Sequence, residues 1–178
     1  MNYETVELDA LKVDPNNINV HDEANRQAIR DSLMAFQQQK PLVVAADGTI
    51  VAGNGTYEVM CEMKEAGASW REDGGYVVDI VRTKLKGDLA WAYAIADNRS
   101  SDLSYFDPQQ LAMALEHARQ DDGLPALGFT EEQAIEAIEK AAKMNAAPDE
   151  FKEVDDDLET EYQCPKCAYE WSGSPKQS

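Results

Sequence analysis

The chain reads as an α+β protein, a compact unit of short strands and helices followed by a helical extension and a CxxC tail. Two observations predict that class. Short runs rich in β-branched residues ("TVELDALKV", "PLVV", "TIVA", "YVVDIVRT") alternate with longer segments whose apolar residues recur at helical spacing. Turn and cap residues fall at nearly every junction between them.

In chain order, "TVELDALKV" alternates weakly and stops at Asp14-Pro15-Asn16-Asn17, which predicts a first strand and a turn. "HDEANRQAIRDSLMAFQQQ" places Ile29, Leu33 and Phe36 on one helical face, with Asp22 as N-cap and Pro41 as the stop. Two β-branched runs around Asp47-Gly48 predict a hairpin. After Gly53-Asn54-Gly55-Thr56 a helix carries Val59, Met60 and Met63 inward and ends at Gly67. "YVVDIVRT" is the next strand. "DLAWAYAIADNR", rich in small and aromatic residues, predicts a well-buried helix from Asp88, with Trp70 and Trp91 both in the core. Asp107-Pro108 opens another helix, with Leu111 and Leu115 one turn apart. Thr130 and Gln133 form a capping box for the last one.

From Met144 the periodicity is lost in an acidic run that leads to "YQCPKCAYEW". The expected organisation is therefore a compact α+β domain over 1–104 and a helical extension over 105–143. An acidic linker over 144–162 and a CxxC tail over 163–178 follow.

Composition narrows the partners. The formal net charge is −18. Residues 144–178 hold nine acids and three lysines, so −6 belongs to the tail and −12 to the rest. Such a surface repels phosphate backbones at long range and disfavours direct DNA binding. No apolar run is long enough for a membrane span, and three cysteines do not make a disulfide framework. A cytoplasmic protein is the expectation.

Three motifs carry chemistry. The strand–Gly53-Asn54-Gly55-Thr56–helix junction has two readings. It is either a tight turn that needs glycine or an anion cradle of free helix N–H groups with the Thr56 hydroxyl. It is not a Walker A loop, because the spacing differs and no lysine follows. Asp97-Asn98-Arg99 offers a carboxylate and an amide oxygen suited to Mg²⁺ beside a guanidinium suited to phosphate. The same residues would equally serve as a polar helix end. Cys164 and Cys167 are half of a zinc knuckle. A closed Zn²⁺ site needs two more ligands, from a second chain or another partner. Cys61 belongs to the core.

In order and spacing, "DPNNINVH", "SLMAFQQQKPLVV", "IVAGNGTYE", "AIADNRSSDLSYFD" and "LGFTEEQ" resemble the ParB/sulfiredoxin superfamily, in its short phage and prophage form. The resemblance covers roughly residues 5–143. It implies a nucleotide site at the turn after the hairpin, holding ATP or CTP with Mg²⁺. Gly53 matches the glycine of the family's Gly-Glu-Arg-Arg turn, while Asn54, Gly55 and Thr56 stand for Glu-Arg-Arg. The charged grip of those arginines is therefore replaced by backbone N–H groups and a hydroxyl. Asp97 and Asn98 resemble the family's Mg²⁺-binding Glu-Asn pair. Gln39 and Lys40 fall in a segment similar to Gly-Gln-x-x-Pro, with Gln37 in place of the glycine. His21 matches a histidine of phage-type members, with Asn19 where they carry arginine, and Arg99 lies near a downstream arginine but out of register. Sulfiredoxin activity is excluded, since Asn54 occupies the position of the catalytic cysteine and Cys61 comes seven residues too late. The resemblance does not extend to a helix-turn-helix, so sequence-specific centromere binding is not expected.

These readings give a nucleotide-binding protein in DNA-related metabolism. Asn54 and Asp97 would be its catalytic residues if it hydrolyses nucleotide, phosphorylates a small molecule or acts as a ParB-like nuclease. The other class is a non-enzymatic acidic adaptor or DNA mimic that docks on a basic nucleic-acid-processing partner. Homo-oligomers fit either class, and a phage-encoded copy would work in the host cytoplasm.

Overall fold

The computed structural model describes residues 2–145 and 162–171. The chain divides into two units, Met1–Asn145 and Ala146–Ser178.

In the first unit a four-stranded mixed sheet carries the core. The strands are β1 (Asn2–Glu7), β2 (Leu42–Val44), β3 (Ile50–Ala52) and β4 (Val77–Arg82), in the spatial order β1-β4-β2-β3. β4 pairs antiparallel with β1 and parallel with β2, and β2–β3 is the hairpin around Asp47-Gly48. Asp47 closes that turn by accepting from the Thr49 N–H at 3.0 Å. β1 is an edge strand, and charge pairs blunt it: Arg82 Nε donates to Glu4 Oε2 at 3.0 Å. It also ends earlier than the sequence suggests, since Leu8–Ala10 form a 3-10 turn that buries Leu8.

Five helices follow the sheet pattern: α1 (Glu23–Phe36), α2 (Asn54–Glu65), α3 (Asp88–Asp102), α4 (Pro108–Gln120) and α5 (Glu131–Asn145). α2 turns Val59, Met60 and Met63 onto the sheet, against Val44, Ile50, Val78 and Ile80, with Trp70 beneath them. α1 adds Leu33 to this core, and its Arg30 pairs with Glu62 of α2 at 2.6 Å. A second cluster, Leu115, Leu124 and Ala134, joins α4 to α5.

The helix starts follow local chemistry. Asp22 accepts from the Asn25 N–H at 2.8 Å, and Asp107 from those of Gln109 and Gln110. Thr130 and Gln133 exchange both capping-box bonds. Asp107→Ala should lower stability by about 1 kcal/mol. Urea denaturation would show this as a lower midpoint at unchanged slope.

Two expectations are corrected. α1 ends at Phe36, not at Pro41, because Gln37 takes a positive φ of 59°. The reason is tertiary: the Gln38 side chain accepts from the Asp79 N–H and donates to its carbonyl, both at 2.8 Å, as a strand would. α3 is not buried. None of its residues is in the core, and Leu89 and Trp91 are 69% and 48% exposed. Its apolar residues are spread around the helix and not gathered on one broad stripe, so it packs only partly against β3.

The described part of the second unit is a hairpin of β5 (Tyr162–Gln163) and β6 (Glu170–Trp171) around Cys164–Tyr169. Cys164 donates its N–H to the Tyr169 carbonyl at 2.8 Å and accepts from the Ala168 N–H at 2.9 Å. The backbone N–H groups of Lys166 and Cys167 point at the Cys164 sulfur and lower its thiol from the ordinary cysteine range. The Trp171 ring stacks with those of both Tyr162 and Tyr169. Residues 146–161 of the acidic linker lie outside the described residues.

Candidate functional site

Sheet, loop and helix converge on a cleft of about 250 Å³ at the N-terminus of α2. Its floor is the end of the hairpin, Val51 and Ala52, followed by Gly53 to Thr56. Gly53 has a φ of 96°, and a Cβ there would lie 2.5 Å from Leu42 Cδ2. The strand therefore turns into the helix within one residue only because that residue is glycine. The N–H groups of Asn54, Gly55 and Thr56 fall in the first turn of α2, which leaves them without intrahelical acceptors. Helix polarity gives that end partial positive charge.

His21 lies over this turn. A Cβ on Gly55 would come within 2.5–2.7 Å of three atoms of its ring, so the glycine makes room for the imidazole. His21 Nδ1 sits 2.7 Å from Asn25 Oδ1, and its carbonyl accepts from Arg26 Nη1 at 2.9 Å. With the proton on Nδ1, the Asn25 contact is a hydrogen bond and Nε2 keeps its lone pair.

Asn54 is the buried polar residue of the site, and both ends of its amide are engaged. Oδ1 accepts from the Asp14 N–H at 3.2 Å, and Nδ2 faces the Ile50 carbonyl at 3.4 Å. A side chain committed in this way acts as a strut. It fixes the Asp14–Asn17 turn, itself closed by Asn17 N–H to Asp14 carbonyl at 2.9 Å, against the start of α2. In this arrangement Asn54 holds the loop and the helix start together.

α3 supplies the far wall. Trp91, Ala94, Asp97, Asn98 and Ser101 line the cleft from it. Lys40 Nζ reaches Asp97 Oδ2 at 4.0 Å and so bridges the loop before β2 to α3. Tyr93, one turn before Asp97, has its phenol pushed up by partial burial and by the neighbouring carboxylate. Asn98 Nδ2 donates to the Ala94 carbonyl at 2.7 Å, which leaves Oδ1 as the free end of that amide. Asp97 and Asn98 do not end a helix, since α3 runs on to Asp102. One carboxylate and one amide oxygen suit a cation that keeps most of its ligands as water and phosphate, which describes Mg²⁺.

The structure thus brings His21, Lys40, Gly53, Asn54, Gly55, Thr56, Asp97 and Asn98 to one cleft. It does not bring Gln39 or Arg99 there. Gln39 turns back to donate to the Phe36 carbonyl, and Arg99 is absent from the lining because it follows Asp97 by two residues, half a turn around the helix. Sequence reasoning missed Asn16, Asn17 and Asn25, polar groups of the same lining, although the run Asn16-Asn17-Ile18-Asn19 was a visible cue. It also misplaced Trp91, a wall of the cleft and not a core residue.

No known family profile and no curated protein matches the sequence. Solved structures do match. The chromosome-partitioning protein ParB from Caulobacter crescentus, C-terminally truncated and complexed with CTP-γ-S, superposes with a TM-score of 0.63 at 14% identity. The match covers 80% of this chain and 79% of that one. The same protein complexed to the centromeric parS site gives 0.40 at 16% identity, over 82% and 73%. A Pnob8-like ParB-N domain gives 0.43 at 16%, over 81% and 62%. The chain therefore has the α+β fold of the ParB N-terminal region.

Proposed function

We propose that this protein is a ParB-like nucleotide-binding protein whose cleft takes a nucleoside triphosphate as its Mg²⁺ complex, with CTP the first candidate. The observation that carries this reading is the convergence on one cleft of three unpaired helix N–H groups and His21 with Lys40 and Asp97-Asn98. The shared fold with a ParB solved with CTP-γ-S supports the choice of nucleotide. The backbone N–H groups and the Thr56 hydroxyl would hold phosphate oxygens, Asp97 and Asn98 the metal, and Trp91 would offer a face for the base.

Among the lining residues Lys40 is the one formal cation, set against Asp14 and Asp97. A polyanionic triphosphate would therefore enter only with its charge offset by Mg²⁺. Strict metal dependence follows. Hydrolysis or phosphoryl transfer would use the same metal-bound geometry, with positioning and electrostatics supplying most of the rate.

The test is a thermal-shift panel of CTP, ATP, GTP and their diphosphates, with and without Mg²⁺, on wild type and Asp97→Ala. A ligand that binds only the native state raises its melting temperature. A shift with one triphosphate, seen only with Mg²⁺ and lost in Asp97→Ala, is the expected result. No shift at saturating nucleotide would overturn the reading and leave the acidic chain as an adaptor for a basic partner.

A further inference from the structure

We propose that Cys164 and Cys167 form half of a four-thiolate zinc site that a second copy of this chain completes. The half-site is built. Cys164 and Cys167 occupy a tight turn closed by the Ala168 N–H to Cys164 carbonyl bond at 2.9 Å, with Ala168 at a φ of 57°. The Cys164 N–H also donates to the Tyr169 carbonyl at 2.8 Å, which fixes the turn on the hairpin. Neither cysteine is in a disulfide.

A structural zinc needs four ligands, almost always thiolate or imidazole. Among the described residues no third cysteine, histidine or carboxylate joins a group that could hold a metal. The chain contains one other cysteine, Cys61, and two histidines, His21 and His117. Cys61 is half-buried in α2, where burial raises its thiol, and His21 is held in the cleft by Asn25. Residues 146–161 and 172–178 add neither cysteine nor histidine. Another molecule can supply a matching pair of thiolates.

A second copy supplies that pair with the right geometry. Two identical two-thiolate turns related by a two-fold axis through the metal make a tetrahedral set, and each contributes the same surface. The hairpin also needs such a support. It has two residues in each strand, and two-stranded hairpins are at best marginal in water. A shared metal would hold it, and the face formed by Tyr162, Trp171 and the 69% exposed Tyr169 would meet its counterpart.

The test uses the full chain. Metal-free protein is titrated with Zn²⁺ and followed by metal analysis and by light scattering behind a sizing column. The expected result is one zinc per two chains, with dimer formed on addition of zinc and lost on chelation. Zinc should also shield Cys164 and Cys167, but not Cys61, from alkylation. Cys164→Ser should lose both metal and zinc-dependent dimer, while keeping the wild-type thermal shift with nucleotide. Asp97→Ala should keep both metal and dimer, which separates this inference from the nucleotide reading. One zinc per monomer, no bound zinc, or the same metal content in Cys164→Ser would overturn the proposal.

Discussion

Gly55→Ala should both destabilise the first unit and weaken nucleotide binding. The new methyl would lie 2.5 Å from His21 Cε1 and 2.6 Å from Nε2, closer than any relaxed contact. Either the imidazole leaves its place or the first turn of α2 shifts. Overpacking of this kind costs about 1–3 kcal/mol. Displacing the N–H groups from the phosphate position should weaken binding by about tenfold or more, roughly 1.4 kcal/mol. Denaturant melts and calorimetric titration with Mg²⁺ and CTP measure the two effects. His21→Ala opens the space, so the stability cost of Gly55→Ala should largely vanish in that background. An equal cost with and without the histidine ring would show that the clash is not its source.

Trp70→Ala should have the largest effect on stability, about 3–5 kcal/mol. The side chain is 2% exposed and packs in the main core beside Tyr76, with ring centroids 6.0 Å apart. Its Nε1 is buried without a hydrogen-bond partner among the described residues. Trp70→Phe removes that unpaired donor along with part of the volume, so it should cost much less than the alanine variant. Chemical denaturation of the two variants provides the comparison. Similar losses in both would mean that volume alone sets the penalty.

Features decided within a few residues were legible in the sequence. Asp22, Asp107 and the Thr130–Gln133 box cap helices because capping depends on a side chain and the next three N–H groups. The Asp47-Gly48 hairpin was legible for the same reason. Features decided by distant partners were not. Nothing near Gln37 announces that α1 stops there, because the cause is Gln38 docking on Asp79 forty-one residues away. Asn54 offers a further case. Its position in a glycine-flanked turn suggests a group aimed at ligand, yet its amide is engaged with Asp14 and Ile50. α3 misled through composition, since alanines and aromatics without a stripe do not specify burial.

The cleft was legible as separate parts, not as a whole. Gly53 to Thr56 and Asp97-Asn98 are more than forty residues apart, and only the sheet order and the course of α3 bring them together. The asparagines of the 16–19 loop carry no chemistry of their own in sequence. They gain meaning when Asn54 pins the Asp14 turn beside the helix start.

In the proposed complex the first turn of α2 holds phosphate through its backbone. Amide hydrogen exchange across Gly53–Tyr57, with and without Mg²⁺ and CTP, addresses it directly. Exchange at Asn54, Gly55 and Thr56 should slow on nucleotide binding, and the effect should disappear without Mg²⁺. Unchanged exchange at those three amides, in a sample that calorimetry shows to be saturated with nucleotide, would contradict it.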